Sequence, residues 1–171
     1  MWVEKGTDGR VWLSAMTRWE GRDFRMSSWG EFELAEPEFA RRVRALMSSR
    51  KHLTMATLRR DGSPRISGTE IEFARNQMKI GSMVGAVKAQ DLFRDARVAI
   101  HGPTADPPQD SPEDWSGEAK IAGKAVADGS GSDSHAFTID VEEAVITSVS
   151  GDKLVIESWT PSRGYRKIER S

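Results

Sequence analysis

The chain contains no cysteine. This absence excludes disulfide bonds, thiolate metal sites and cysteine nucleophiles together, and it is typical of a cytoplasmic protein. The sequence also has no apolar run long enough to cross a bilayer. Glu4, Lys5 and Asp8 interrupt the apolar start that a signal peptide would need. We therefore expect a cytoplasmic protein with no membrane partner.

A large excess of charge of one sign is also missing, because 25 basic residues stand against 26 acidic ones. A balanced chain has no general attraction for nucleic acid, so we expect no nucleic-acid partner. Histidine is scarce, and His52, His101 and His135 form neither an HExxH motif nor a pair at i, i+4. We expect no metal site. No GxSxG elbow supports a serine triad either, so no catalytic residue is assigned.

Tryptophan, by contrast, is concentrated in residues 1–30, which hold four of the six in the chain. We interpret this segment as an N-terminal extension. It is either a small hairpin that turns at 7–9 and packs on a partner subunit, or an upstream stretch before a natural start at Met26. Residues 31–171 are long enough for one domain with a sizeable core.

Hydrophobic periodicity predicts a mainly β fold with few helices. Helices are predicted at 37–50 and 85–94, and a proline-rich acidic loop at 103–116. Asp61-Gly62 is a hairpin signal between a strand at 52–58 and one from about Arg65 to Phe73, which Gly68 interrupts. Further strands are predicted at 78–83, 98–101, 117–127, 137–148 with a bend near Asp140, and 153–159, with a short edge at 165–168. About seven short strands with one or two helices favour a β-barrel with helices at its ends.

Lys88 is the strongest candidate for binding chemistry. A strand end containing Gly81 runs through Gly85 into the predicted helix, whose first N–H groups can hold a phosphate. Lys88 lies in the first turn of that helix and would supply the counter-charge. The alternative is an ordinary surface lysine, because this spacing often occurs by chance.

Several other side chains are weaker candidates for contacting a ligand. Arg65, Ser67 and Thr69 alternate along one strand and so share a face, which is either a polar wall for a ligand or an outward sheet surface. His101 ends the strand that follows the predicted helix. Trp115 either covers a flat ring system as part of a lid or anchors its loop, and Trp159 either contributes to a pocket or packs in a core or interface.

Taken together, HLTMATLRRDGSPRISGTEI and MKIGSMVGAVKAQDLFRDARVAIH resemble the flavin split-barrel family, the pyridoxamine 5′-phosphate oxidase-like proteins. The resemblance covers about residues 36–170 and is strongest at 52–101. It implies a six-stranded Greek-key split β-barrel with short flanking helices, with residues 31–171 as the cofactor-binding domain. It also implies a homodimer with cofactor sites at the interface, and FMN or the deazaflavin F420 as cofactor.

The resemblance also implies roles for particular residues. Lys88 matches the phosphate-binding lysine of the family, and Ser82 and Met83, after Gly81, match strand-end positions that line the cofactor phosphate or ribityl chain. The segment Arg65, Ile66, Ser67 and Gly68 matches the strand that runs along the ring and ribityl chain.

Two departures bear on the activity. Val87 stands where true pyridoxamine phosphate oxidases have an arginine, and their C-terminal substrate segment has no counterpart here. Pyridoxamine phosphate is therefore not the expected substrate. The predicted function is an FMN- or F420-dependent oxidoreductase that transfers hydride to or from an unidentified small molecule. The alternative is a non-catalytic carrier or sensor of a flavin, haem or another phosphorylated ligand on the same fold.

Overall fold

A computed structural model describes residues 26–130 and 134–171 of the chain. The helices are α1 (Trp29–Ala35), α2 (Pro37–Met47) and α3 (Val87–Arg94). The strands are β1 (Leu53–Leu58), β2 (Pro64–Thr69), β3 (Ile71–Ala74), β4 (Gln77–Met83), β5 (Arg97–His101), β6 (Glu118–Ser130), β7 (Ser134–Ser150), β8 (Lys153–Thr160) and β9 (Gly164–Arg170). The prediction of a mainly β fold with few helices is confirmed, with nine strands in the described residues where about seven were expected.

All nine strands belong to one antiparallel sheet. Its main path runs β2-β1-β5-β6-β7-β4-β3, and β8 and β9 extend it beyond β7. β2 and β3 therefore lie at opposite ends of this path, although only Glu70 separates them in the chain. The sheet must curl until its two ends meet at Glu70. The curled sheet is what brings β2 close to β4.

The prediction of one continuous strand from about Arg65 to Phe73 is wrong, because this segment forms two strands, β2 and β3. Thr69 pairs with Leu53 of β1, whereas Ile71 pairs with Ile80 of β4. The chain thus changes partner strand at Glu70. Odd-numbered residues remain the less exposed ones on both sides of this corner, so the alternation of burial continues although the partner strand changes.

The longest hairpin of the sheet, β6 with β7, contains the predicted bend. The register shifts between Ala122 and Gly123, where Glu142 becomes the extra residue of a bulge beside Asp140. A Cβ atom at Gly123 would lie 2.0 Å from the carbonyl oxygen of Asp140. Glycine is required here because the two backbones approach too closely for any side chain.

The helices pack on different strands of the sheet: α1 on β4 and β7, α2 on β6 and β7, and α3 on β1 and β4. Phe39, Val43 and Met47 of α2 are buried, as their helical spacing predicts. α1, which the sequence analysis did not predict, begins with a capping box in which Ser28 and Glu31 satisfy each other's backbone N–H groups. Its Trp29 is fully buried in the core.

The predictions for residues 1–25 lie outside the described residues. Within those the structure does describe, no helix combines the length and apolar character needed to cross a bilayer.

Candidate functional site

A cleft opens where two neighbouring strands separate. The β3–β4 ladder ends with the pair Ile71–Ile80. Beyond it, β4 continues to Met83 with β7 on its other side, while the segment before Ile71 turns away to pair with β1. The result is a fork, with Gly68 and Thr69 on one wall and residues 81–83 on the other. Neither wall pairs with a described strand on the side that faces the fork.

The cleft in this fork has a volume of about 640 Å³, inside the range of roughly 300–1,000 Å³ that small-molecule sites occupy. Five residues of the predicted site line it: Gly68, Gly81, Ser82, Met83 and Lys88. Thr69, a weaker candidate in the sequence, lines it as well. The remaining lining comes from the residue before β1, the Glu70 corner, β4, the approach to α3 and the start of β7: His52, Glu70, Ile71, Glu72, Lys79, Ile80, Ala86, Ser134 and Ala136.

Lys88 bridges the fork. Its Nζ donates a hydrogen bond of 2.7 Å to the carbonyl oxygen of Gly68, so a side chain from α3, the helix that follows β4, reaches the β2 wall. α3 begins at Val87 after Ala86, which has no side chain to cap the helix. The N–H groups of Val87 and Lys88 have no acceptor among the described residues. Unpaired amides and a cation at a helix start form a site suited to an anion.

Lys79 and Glu70 of the cleft lining have ion-pair partners, whereas Glu72 has none among the described residues. The Nζ of Lys79 lies 2.5 Å from a carboxylate oxygen of Asp128. Glu70 lies 3.5 Å from the Nζ of Lys51. In the described part of the chain, no carboxylate lies within ion-pair distance of Lys88. Lys88 is therefore the one lysine of the cleft lining that no described carboxylate neutralises.

Ser82 presents a hydroxyl with unused hydrogen-bonding capacity. The residue is 9% exposed, and its Oγ has no hydrogen-bond partner among the described residues. Burying an unsatisfied hydroxyl costs about 1–3 kcal/mol. A ligand that bonds to this oxygen would recover that cost.

Behind the cleft, Asp91 is a buried hub that the sequence analysis missed. It accepts hydrogen bonds from Thr57 Oγ1 at 2.9 Å, Arg65 Nε at 2.5 Å and Arg94 at 2.9 Å. Burial acts to raise the pKa of Asp91, but the hydrogen bonds from Arg65, Arg94 and Thr57 outweigh it and lower that pKa overall. The hub fixes α3 against β1 and β2, and so fixes the position of Lys88 one turn earlier.

The hub also explains where the predicted Arg65 lies. Its Nε is engaged by Asp91, and the residue does not line the cleft. Ile66 and Ser67 also lie on β2 outside the lining, and Ile66 is 69% exposed. The one signal for the hub in the sequence was an aspartate three residues after Lys88 on the predicted helix, which also fits an ordinary surface carboxylate.

The three predicted substrate contacts lie away from the cleft lining. His101 Nδ1 is 2.8 Å from the carbonyl oxygen of Gly102. Trp115 donates from Nε1 to the carbonyl oxygen of Ala105 at 2.7 Å, which closes the proline-rich loop on itself. Trp159 is 3% exposed and stacks on Phe32 with ring centroids 4.3 Å apart. The structure brings none of them together with Lys88.

No group of three or more histidine and carboxylate side chains in the described ranges could hold a metal ion.

Comparison with known proteins places the fold. No family model and no curated protein sequence matches the chain. Among solved structures, PhzG from Burkholderia lata, in complex with tetrahydrophenazine-1-carboxylic acid, is similar with a TM-score of 0.58 and 9% identity, covering 93% of this chain and 98% of its own. A pyridoxamine 5′-phosphate oxidase-related, FMN-binding protein from Nostoc punctiforme has a TM-score of 0.55 and 10% identity, and the match covers 82% of this chain and 97% of that protein. A Clostridium acetobutylicum protein of the pyridoxinephosphate oxidase family has a TM-score of 0.56 and 9% identity, and the match covers 74% of this chain and 97% of that protein.

The similarity extends over most of each chain, while the identities are too low to carry more than the fold. It agrees with the resemblance first seen in residues 52–101. The chain has the fold of the pyridoxamine 5′-phosphate oxidase-like proteins, the flavin split-barrel family.

Proposed function

We propose that the protein is an oxidoreductase that binds FMN or F420 in the fork cleft and acts on a small molecule yet to be identified. The observation that carries this proposal is Lys88, a cation without a carboxylate partner in the described residues, held across the fork at the start of α3. Both cofactors have a phosphate and a tricyclic ring. The six-stranded Greek-key split barrel of the family remains our proposed description of the curled sheet.

The residues present fit such a group. Lys88 and the N–H groups that open α3 would hold the phosphate. The orphaned hydroxyl of Ser82 would bond to the ribityl chain or phosphate. Open space beside Gly68 and Gly81 leaves room for a ring against the strand backbones.

When bound, the cofactor would supply the hydride chemistry of its ring system, and the protein would position that ring and exclude water. Arg65 would act indirectly, since its bond to Asp91 keeps α3 and Lys88 in place. No side chain of the cleft is assigned as a catalytic acid or base.

We also propose that the protein is a homodimer with this cleft at the interface. Four apolar side chains near the fork are more than half exposed: Ile66, Met83, Val84 and Val87. Exposed apolar side chains grouped beside a cleft are typical of an interaction surface. Analytical ultracentrifugation should find a dimer, and Ile66→Glu should shift it toward the monomer. A wild-type monomer at high concentration would refute the dimer.

Fluorescence titration of the purified protein with FMN and with F420 tests the proposed function. Lys88→Ala should weaken binding of the preferred cofactor about 10- to 100-fold, because a charge-assisted hydrogen bond contributes about 1.5–3 kcal/mol. Lys79→Ala is the matched control. It removes the other lysine of the cleft, but Asp128 already neutralises that charge, so affinity should change less than threefold or so.

Unchanged affinity in Lys88→Ala, or no binding of either cofactor to the wild type, would refute the assignment. Turnover separates the enzyme from the carrier or sensor. An enzyme should reduce or reoxidise the bound cofactor with a candidate substrate, whereas a carrier binds without turnover. The carrier or sensor could also bind haem. Adding haem to the apoprotein and recording the absorbance spectrum tests this possibility.

A further inference from the structure

The last strand of the sheet presents two arginines without a counter-charge. In the described sheet β9 pairs with β8 alone, so its other edge is open. Arg166, Ile168 and Arg170 share one face of β9, while Tyr165 packs on α2 from the opposite face. Neither arginine has an ion pair or a side-chain hydrogen bond among the described residues. Both guanidinium groups are therefore available to an acidic partner.

Apolar side chains lie between and beside these arginines. Ile168 is 49% exposed and pairs in register with Ile156 of β8, and Leu154, which is 39% exposed, pairs with Arg170. We call this set the arginine face: Leu154, Ile156, Arg166, Ile168 and Arg170. Charge on an edge strand resists aggregation, but exposed apolar side chains beside it work against that role. Unpaired cations around an apolar centre are instead suited to a partner that supplies carboxylates and apolar contacts.

The loop at 103–116 has this complementary character. It has four exposed carboxylates with no ion pair or hydrogen bond among the described residues: Asp106, Asp110, Glu113 and Asp114. No basic residue occurs from 103 to 119. Four prolines and the hydrogen bond from Trp115 to Ala105 hold the loop in shape. Docking of this loop would therefore cost little conformational entropy.

Within one copy of the chain, the loop and the arginine face do not pair. The short helix of the loop at 112–114 contacts β7, and β8 separates β7 from β9. Following the paired residues from strand to strand places Ile66 of β2 and Arg166 of β9 on the same side of the sheet. A second copy that covers Ile66, as in the proposed homodimer, therefore approaches the side that carries the arginines.

We propose that the loop at 103–116 of one copy docks on the arginine face of a second copy and forms part of the homodimer contact. Its carboxylates pair with Arg166 and Arg170, and its prolines pack on Leu154 and Ile168. Two-fold symmetry makes this contact twice. This inference goes beyond the proposed function, because it requires neither the cofactor nor the cleft. It rests on the proposed homodimer alone.

Charge reversal on each side tests the contact. Arg166→Glu with Arg170→Glu places glutamates against the acidic loop, and Asp110→Lys with Asp114→Lys places lysines against the arginine face. Each double variant should raise the dimer dissociation constant at least about 30-fold, because like charges then meet twice in the dimer. A one-to-one mixture of the two variants should restore dimerisation, since both contacts of the mixed dimer join opposite charges.

Arg50→Glu with Arg75→Glu is the matched control. It makes the same change in net charge at two exposed arginines outside the strands, and it should change the dissociation constant less than about threefold. Sedimentation equilibrium at about 0.05 M and 0.5 M salt measures these constants, and the wild-type dimer should weaken at the higher salt because the contact is exposed to screening. Circular dichroism verifies the native fold. If one double variant unfolds, the other variant and the salt dependence still decide.

A wild-type monomer overturns the homodimer and this inference together, whereas the cofactor titrations decide the proposed function separately. Three results overturn this inference alone. They are double variants that dimerise as tightly as the wild type, a mixture that dimerises no better than its components, and a control as disruptive as the double variants.

Discussion

Replacing Asp91 by alanine should destabilise the protein severely, although this residue does not line the cleft. The Asp91 side chain is 3% exposed and holds two arginines and the buried Thr57. Removing one partner of a buried ion pair costs about 3–5 kcal/mol, because the remaining charges stay uncompensated. Arg65 and Arg94 are 26% and 33% exposed. Water therefore recovers part of that cost, and we expect a loss of about 3 kcal/mol.

Thermal and urea denaturation measure this loss. For a domain of this size, about 3 kcal/mol corresponds to a fall in melting temperature of about 6–12 °C. Asp91→Asn separates charge from volume, since it keeps the size and one acceptor oxygen but presents an amide to the arginines. Asp91→Asn should therefore lower the free energy of unfolding by at least half as much as Asp91→Ala does. Glu169→Ala is the control, because it removes an exposed carboxylate that also contacts two cations, Lys153 and Lys167.

The pH dependence of this stabilisation has a definite sign. The pKa of Asp91 is lowered in the folded protein, so its contribution is fully present above the ordinary aspartate pKa of about 3.9. That contribution is lost as the pH falls through the lower, folded value. The difference between wild type and Asp91→Ala should therefore be constant from about pH 5 to 8 and shrink below about pH 4. An Asp91→Asn variant as stable as the wild type, or a control as damaging as Asp91→Ala, would refute the reasoning.

Three further predictions follow from the fold. Burial, and then the hydrogen bond that Tyr165 donates to Glu157, raises the pKa of Tyr165 to about 12. Because this is the sole tyrosine, ultraviolet titration should show no phenolate near pH 10 while circular dichroism shows the native fold. Glu157→Gln should lower the midpoint of the phenol titration. Because the unfolded state releases this proton first, stability should also fall as the pH rises above about 10. Gly123→Ala should cost at least about 3 kcal/mol, since the new methyl group meets the Asp140 carbonyl, and an unchanged melting temperature would contradict this steric argument. Trp159→Ala should cost about 3–5 kcal/mol, whereas Trp159→Phe should leave ligand affinity unchanged; a loss of affinity at unchanged stability would mean that Trp159 contacts the ligand.

Local patterns in the sequence were enough to predict most elements of the fold. α2 has its apolar face at helical spacing, and the hairpin at Asp61-Gly62 forms with Gly62 at a positive φ of 83°. These features depend on neighbours in the chain, which a single sequence displays. The resemblance in residues 52–101 predicted the fold of the solved structures, because it draws on motif spacing rather than on overall identity.

The features that the sequence did not reveal depend on distant contacts. At the corner at Glu70 the strand changes partner while its odd-numbered residues stay on the less exposed face, so the change depends on which distant strand each half meets. Asp91 became a hub because the fold brings Thr57 and Arg65 to it from other strands. Trp159 was considered for a pocket as well as for core packing, and only the position of Phe32 shows which neighbour it stacks on.

The fork has a mechanical consequence. Its walls are joined covalently through the Glu70 corner, and each wall is anchored to a different neighbour, β1 or β7. No ladder of the described sheet crosses the gap between them, where Lys88 makes a single hydrogen bond to Gly68. The gap can therefore widen without breaking any strand pairing, and the bonds from Asp91 on α3 to Thr57 and Arg65 limit that movement. A binding cleft between these two walls can thus change its width while each wall keeps its strand pairing.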